Sequence, residues 1–262
     1  MMRKVENIND IFKIGNIRKD LDAFNIVVKD IMHGNREIYS DNESYVIFFR
    51  DDFNIIWTKD NIDIGALLDI IKLLENCSNE IVICKKELGS ILDIGFDYND
   101  VSCMQCKNIR KPKECNGYLH VPTNYDVDVL SKYYFDYANE INLRKIKSLE
   151  DAYLMIQKLI DENCIYAWKD NKRIVSMASY SSNGMQSKIC NVYTIPEARK
   201  RGYAQNLIYA ITNEMLNDDL VPSIYIKDEV AYKLYKKIGY ESVLNVLMFN
   251  SNNKVKIKTK LK

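Results

Sequence analysis

The sequence predicts an α/β protein of the α+β class, with two lobes and a mixed, mostly antiparallel sheet flanked by helices. Strand-like and helix-like patterns alternate from residue 117 to the C-terminus. A weaker version of the same order of patterns occupies the first half of the chain. Hydrophobic residues make up 47% of the 262 residues, which is sufficient for a core in each lobe.

The elements predicted from residue 117 onward follow the order β-α-α-β-β-β-α-β-α-β-β. Ser148, with Asp151 three residues later, is typical of a helix N-terminus. Asp170 and Asn171 together are typical of a hairpin turn. The predicted elements are a strand at 117–123, helices at 126–140 and 148–160, strands at 164–169, 173–180 and 188–194, a helix at 203–216, a strand at 222–227, a helix at 229–237, and strands at 241–250 and in the tail 253–262.

Two segments of the first half are similar to segments of the second. Residues 91–96 resemble residues 234–240, where a helix is expected to meet a strand at a glycine. Residues 57–66 resemble residues 193–204 but are shorter and lack the cations. We interpret this as a tandem duplication with a degenerate N-terminal domain at residues 1–115 and a second domain at 116–262. The alternative is chance similarity between two generic helix–glycine–strand corners.

Composition argues against several classes of protein. The net charge of +1 gives no support for a nucleic-acid partner. No run of about eighteen apolar residues is present, so a membrane span is not expected, and the N-terminus does not have the pattern of a secretory signal. The seven cysteines favour reduced thiols. We therefore expect a cytoplasmic protein.

The segment 188–205 combines the features of an anion site at a helix N-terminus. It reads as strand, loop and helix, and the N–H groups that begin a helix have no partner within it. Gly202 and Ala204 keep the turn small, while Lys200 and Arg201 add positive charge. These residues predict a phosphate-bearing ligand, most naturally a pyrophosphate. The segment fits neither the phosphate loop of nucleotide hydrolases nor a dinucleotide-binding fingerprint.

Two motifs in this region resemble those of a known family. Residues 199–204, RKRGYA, fit the pattern [QR]-x-x-G-x-[GA], and residues 231–240, AYKLYKKIGY, fit A-x-x-L-Y-x-x-x-G-[FY]. Both lie in the expected order of strands and helices, and together they resemble the GNAT superfamily of acyl-CoA-dependent N-acyltransferases. The resemblance covers residues 117–262 and extends more faintly over the first half.

The resemblance implies a fold, a co-substrate and a set of site residues. It implies transfer of an acetyl group from acetyl-CoA to a primary amine of a small molecule or peptide, without a metal and without a nucleic-acid or membrane partner. It implies that the strand residues Val192, Tyr193 and Thr194 contact the pantetheine arm and that Tyr235 is the general acid. The pyrophosphate would be held by Lys200, Arg201, Gly202, Tyr203, Ala204 and Gln205, mainly through their main-chain N–H groups.

Two departures from the family pattern leave other functions open. Asp228 stands where the family often has Asn, and a carboxylate there is unfavourable beside phosphates. The acidic general base has no clear counterpart. Glu140 is a candidate, although it also fits a solvated helix-end charge, and Glu197 is expected to face water. A non-catalytic acyl-CoA-binding or sensing protein and an interaction scaffold are therefore alternatives. The amine acceptor and the oligomeric state stay open.

The residues Cys103, Cys106, Cys115 and His120 are of the types that bind zinc. However, Cys103 and Cys106 lie on a predicted strand, where their spacing places them on opposite faces. We therefore expect no metal site. His33 and His120 are the two histidines of the chain, and no catalytic triad can be drawn from them.

Overall fold

The computed structural model describes residues 2–6, 8–14, 17, 20, 37–49, 54–75, 81–85, 92–94, 98–143, 145–182, 186–250 and 257–259. The chain divides into two compact units. The first comprises residues 1–104, 225–229 and 242–262, and the second comprises residues 105–224 and 230–241. The proposed domain boundary between residues 115 and 116 stays a prediction.

The first unit contains a mixed sheet. Its strands are ordered β1-β2-β3-β4-β5-β13-β7, where β4 and β5 are parallel and β13 is antiparallel to β5. The strands of this sheet and the two helices of the unit are β1 (Arg3–Lys4), α1 (Ile8–Ile11), β2 (Ile38–Ser40), β3 (Tyr45–Phe48), β4 (Asn54–Thr58), α2 (Ile64–Glu75), β5 (Ile81–Lys85), β7 (Tyr98–Cys106) and β13 (Tyr240–Asn250).

The core of the first unit consists of two clusters. One contains Ile11, Trp57 and Val246, and the other contains Tyr45, Ile47 and, from α2, Ile70. Helix α2 thus buries the apolar stripe that its sequence predicts.

The tail strand predicted from the sequence pairs with a segment of the first half whose sequence resembles that of a predicted helix. Strand β6 (Leu92–Ile94) pairs antiparallel with β14 (Ile257–Thr259). The tail strand is confirmed over Ile257–Thr259. The similarity of residues 91–96 to residues 234–240 suggested a helix before Gly95. Because Leu92–Ile94 is a strand, that suggestion is wrong over these residues. The glycine of that predicted corner, Gly95, lies outside the described residues, as does His33.

The second unit contains the sheet β12-β11-β10-β9-β8. Its elements are β8 (Tyr118–His120), α3 (Val127–Glu140), α4 (Leu149–Asp161), β9 (Ile165–Asp170), β10 (Arg173–Ser182), β11 (Gln186–Thr194), α5 (Tyr203–Asn217), β12 (Val221–Ile226) and α6 (Glu229–Lys237). Each matches a predicted element to within a few residues. Helix α5 contacts β9, β10 and β11, whereas α3 contacts α4 and β11.

The local signals in this unit act as the sequence predicts. Ser148 caps α4, since its hydroxyl accepts from Asp151 N at 3.1 Å while the Asp151 carboxylate accepts from Ser148 N at 2.9 Å. Asn171 and Lys172 form the β9–β10 turn with positive φ angles of 48° and 67°. Asn visits that region readily, which explains its place in this two-residue hairpin.

Candidate active site

Strand β11 separates from its parallel neighbour β12 after a short ladder. The paired residues run from Gln186 with Val221 to Lys188 with Ser223, and β11 then continues to Thr194. On its other side, β11 remains paired with β10 as far as Thr194. Among the described residues, the β12-facing edge of β11 beyond Lys188 has no strand partner. This separation between β11 and β12 beyond Lys188 is referred to below as the opening.

The backbone of β11 directs alternate residues into this opening. Ile195 N donates to Val175 O at 3.1 Å, and Tyr193 O accepts from the Ser176 hydroxyl at 2.9 Å, so both face β10. Because a strand alternates, the Thr194 N–H faces the opening instead, whereas Thr194 O accepts from Arg199 Nε. The ring of Tyr193 is buried.

The turn that follows β11 exposes the start of helix α5. Lys200 and Gly202 have φ angles of 62° and 87°, and the helix begins at Tyr203. Its first bond is donated by Asn206 N to Gly202 O at 3.0 Å. The N–H groups of the first turn therefore have no partner within the helix, and its dipole favours an anion there.

The side chains at this turn divide between water and the core. Lys200 and Arg201 are exposed, whereas Ala204 and Gln205 are half-buried. Tyr203 is buried, and its hydroxyl donates to Asp170 at 2.5 Å. This hydrogen bond to Asp170 raises the pKa of Tyr203, with burial contributing less.

Arg199, the first residue of the motif at 199–204, is hydrogen-bonded to the end of β11. Its Nε donates to Thr194 O at 2.9 Å, and its guanidinium pairs with Glu140 at 2.6 Å. The same group lies 5.5 Å from the ring centre of Tyr193. The hydrogen bond to Glu140 raises the pKa of Arg199. The motif thus ties α3 to the end of β11, a role that no sequence signal indicated.

Tyr235 on α6 is buried, with 4% of its surface exposed. Its ring stands edge-on to that of Tyr240, with 5.5 Å between the centres. Burial raises the pKa of Tyr235 well above its ordinary value, and Tyr137 and Cys190 lie close enough to contribute, as does Tyr240. The hydroxyl is therefore protonated at neutral pH.

Tyr137 and Cys190 lie next to Tyr193 and Lys188 of β11, and neither was among the site residues predicted from the sequence. Tyr137 packs edge-on against Tyr193 at 6.4 Å, and burial followed by Cys190 raises its pKa to about 12. The Cys190 thiol donates weakly to Lys188 O at 3.5 Å. The side chain of Tyr137 is half-buried in the structure.

The carboxylates considered from the sequence lie in different settings. Glu140 is paired with Arg199, and Glu197 is exposed and paired with Arg173 at 2.5 Å. The expectation that Glu197 faces water is confirmed. Asp228 is exposed at the start of α6.

The residues with metal-ligand chemistry do not converge. Cys103 and Cys106 are both buried in β7, and His120 Nε2 lies 2.8 Å from Asp126 Oδ2. Within the described ranges, no group of three or more His, Cys, Asp or Glu side chains could hold a metal ion. In the same ranges, every helix is too short or too polar to cross a membrane.

The model of one protein family, GNAT acetyltransferase, matches residues 25–247 of the sequence. The chain belongs to the GNAT acetyltransferase family. The match runs through segments of both units, and membership supports acyl transfer as the class of reaction. No curated protein matches the sequence.

Solved structures share the GNAT fold at low sequence identity. A GNAT-family acetyltransferase from Colwellia psychrerythraea is 9% identical, with a TM-score of 0.59 over 95% of this chain and 99% of its own. A GCN5-related N-acetyltransferase from Sphaerobacter thermophilus is 12% identical, with a TM-score of 0.59 over 95% and 94%. A third, from Kribbella flavida, is 10% identical, with a TM-score of 0.54 over 89% and 95%.

Proposed function

We propose that this GNAT protein transfers an acetyl group from acetyl-CoA to a primary amine by direct attack. The separation of β11 from β12, with the exposed start of α5 at its end, is the observation that carries the proposal. Acetyl-CoA supplies a thioester carbonyl and a thiolate leaving group. The acceptor is a small molecule or a peptide, and the protein acts in the cytoplasm.

The described residues fit the parts of acetyl-CoA. The Val192 backbone and the Thr194 N–H pair with the pantetheine amides in the manner of an added strand, while Tyr193 forms the adjoining wall. Lys200, Arg201 and Gly202 lead into the free N–H groups of Tyr203, Ala204 and Gln205, which suit a pyrophosphate.

Tyr235 donates a proton to the departing thiolate. Its raised pKa keeps the hydroxyl protonated over the neutral range. No hydrogen bond within the described part of the chain occupies this hydroxyl, so the proton is available for transfer. In the balanced step, the amine nitrogen bonds to the acetyl carbon, the carbon–sulfur bond breaks, and the thiolate takes the Tyr235 proton. The proton lost by the amine goes to water and is later returned to Tyr235.

Direct attack is favoured over an acyl-cysteine route. Cys190 is the thiol near the opening, but its hydrogen bond runs to the carbonyl of Lys188. A carbonyl cannot accept the thiol proton as a base does, so this contact does not activate Cys190 as a nucleophile.

The experiment is a thiol-release assay with acetyl-CoA across amines, amino acids, polyamines and peptides. We expect turnover with at least one acceptor, a loss of about 10²- to 10³-fold in Tyr235→Phe, and a change of no more than severalfold in Cys190→Ala. Phe retains the packing on Tyr240, and the Tyr235 hydroxyl has no hydrogen-bond partner among the described residues, so Tyr235→Phe should melt at or above the parent temperature.

The controls separate catalysis from binding. Acetyl-CoA binding without turnover on any acceptor would support the acyl-CoA-sensing alternative and contradict the proposal. Parental turnover in Tyr235→Phe would remove that residue as the acid, and loss of turnover in Cys190→Ala would point to the covalent route.

A further inference from the structure

We propose that the basic loop, residues 107–116, supplies a phosphate-binding cation to the acyl-CoA site and that Lys113 makes the contact. The inference rests on the proposed function, because its ligand is the acyl-CoA of that site. The loop has the sequence KNIRKPKECN, and its chemistry is not explained by the strand, turn and helix motifs.

One part of the basic loop is fixed against the corner between α6 and β13. Arg110 N donates to Ile238 O at 3.0 Å. Gly239 has a φ angle of 104°, and a Cβ built on it would lie 2.2 Å from Asn108 O. The loop backbone therefore passes directly against the residues that follow the helix of Tyr235.

Another part of the basic loop is fixed at the start of α5. The Asn206 amide donates to Lys113 O at 3.0 Å and to Gly202 O at 3.1 Å, and Asn206 is 8% exposed. A Cβ built on Gly202 would lie 3.7 Å from the Cβ of Cys115. Helix side chains lean toward the N-terminus, so this amide holds Lys113 beside the free N–H groups of α5.

The lysines of the basic loop differ in whether they form a salt bridge. Lys111 pairs with Glu114 at 2.7 Å, and this hydrogen bond lowers the pKa of Glu114. Lys113 is exposed and makes no salt bridge to any described residue. Among the described residues, Lys113 is therefore a cation without a carboxylate partner, and its backbone lies at the same end of α5 as Lys200 and Arg201.

A lysine at this place matches the chemistry of CoA. The nucleotide part of CoA carries a pyrophosphate and a separate phosphomonoester, and the N–H groups of one helix turn face a limited volume. A phosphomonoester carries up to about two negative charges, and a flexible lysine is a suitable point charge for an exposed phosphate.

The test is calorimetric titration of the full chain with CoA and with 3′-dephospho-CoA. We expect Lys113→Ala to raise the Kd for CoA about fivefold at low salt, the scale of an exposed ion pair, and Lys113→Arg to bind as the parent does. Lys111→Ala is the matched control in the same loop and should change the Kd less than twofold. The difference between parent and Lys113→Ala should shrink as salt is added.

The two ligands distinguish the phosphates. A loss in Lys113→Ala with CoA but not with dephospho-CoA assigns Lys113 to the 3′-phosphate, and an equal loss assigns it to the pyrophosphate. Parental affinity in Lys113→Ala, an equal loss in Lys111→Ala, or failure of Lys113→Arg to bind as the parent does would overturn the inference. Absence of CoA binding by the parent chain would instead contradict the proposed function.

Discussion

Two left-handed residues shape the turn before α5. Gly202 has a φ of 87°, yet a Cβ at this position would meet its nearest neighbours, Asn206 and Cys115, at 3.7 Å, an ordinary contact distance. Backbone conformation, rather than crowding by protein atoms, therefore requires glycine here. Lys200 adopts a φ of 62° with a full side chain, at a conformational cost of about 1 kcal/mol.

Glu140 illustrates how pairing limits the role of a carboxylate. Its contact with Arg199 at 2.6 Å is half-exposed, a setting in which ion pairs contribute about 0–1 kcal/mol. We expect Glu140→Gln to lower the free energy of unfolding by less than about 1 kcal/mol and turnover by no more than severalfold. Urea unfolding and a pH–rate profile would check this. A loss of 10²-fold or more, with disappearance of the acidic limb of the profile, would identify Glu140 as the general base.

At the scale of elements, a negative charge introduced at the start of α5 tests anion binding while leaving the helix stable. An acidic residue in the first turn of a helix is favourable by about 0.3–1 kcal/mol. Ala204→Glu should therefore fold normally but weaken acetyl-CoA binding by tenfold or more, since its carboxylate would stand where phosphates bind. Ala204→Gln has the same size without the charge.

The comparison needs the binding affinity and the melting temperature of both variants. Equal binding by Ala204→Glu and the parent would mean that the phosphates lie elsewhere. Equal weakening in Ala204→Gln would mean that size, not charge, is responsible.

The start of α3 is held by a buried carboxylate. Burial alone would raise the pKa of Asp126, but hydrogen bonds from Thr123 N, His120 and Lys169 outweigh it and lower the pKa to about 2. Because the folded pKa lies below the unfolded value of about 3.9, this stabilisation is present above pH 4 and is lost as pH falls toward 2.

Asp126→Asn should therefore lower the free energy of unfolding by about 1–3 kcal/mol at pH 7, since it leaves the Lys169 ammonium without its carboxylate partner. Urea unfolding at several pH values would measure this. The difference from the parent should diminish below pH 4, and a difference that stays constant down to pH 2.5 would contradict the assignment.

At the scale of the molecule, the first unit repeats the order of three strands, a helix and a parallel strand. The β4–β5 ladder covers Asn54 with Val82 and Ile55 with Ile83. Beyond it, Lys85 pairs with Asp20 at 2.6 Å and lies 5.1 Å from the ring centre of Trp57.

We therefore expect one molecule of acetyl-CoA to bind per chain. Lys85 already has a carboxylate partner in Asp20, and residues 57–66 lack the cations of residues 193–204. Calorimetric stoichiometry measures this directly, and a value near two would show a second functional site. A degenerate GNAT-like first domain is our proposal for this unit.

Local signals predicted the second unit well and the first unit incompletely. Capping at Ser148 and the turn at Asn171 depend on neighbouring residues, so sequence reveals them. The pairing of Leu92–Ile94 with Ile257–Thr259 joins distant segments, and no local pattern encodes it. In the site, Gly202 and Tyr235 belong to motifs, whereas the contacts of Arg199 with Glu140 and of Lys113 with Asn206 depend on tertiary packing alone.

The central claim is that acetyl-CoA binds at the opening between β11 and β12. The most direct measurement is the melting temperature of the parent chain as acetyl-CoA is added, with Ala204→Glu in parallel. Binding to the folded state stabilises by about 2.7 kcal/mol at a ligand concentration of 100 Kd, so we predict a saturable rise of several degrees that is much reduced in Ala204→Glu. No rise in the parent at any concentration, or an equal rise in both proteins, would contradict the account.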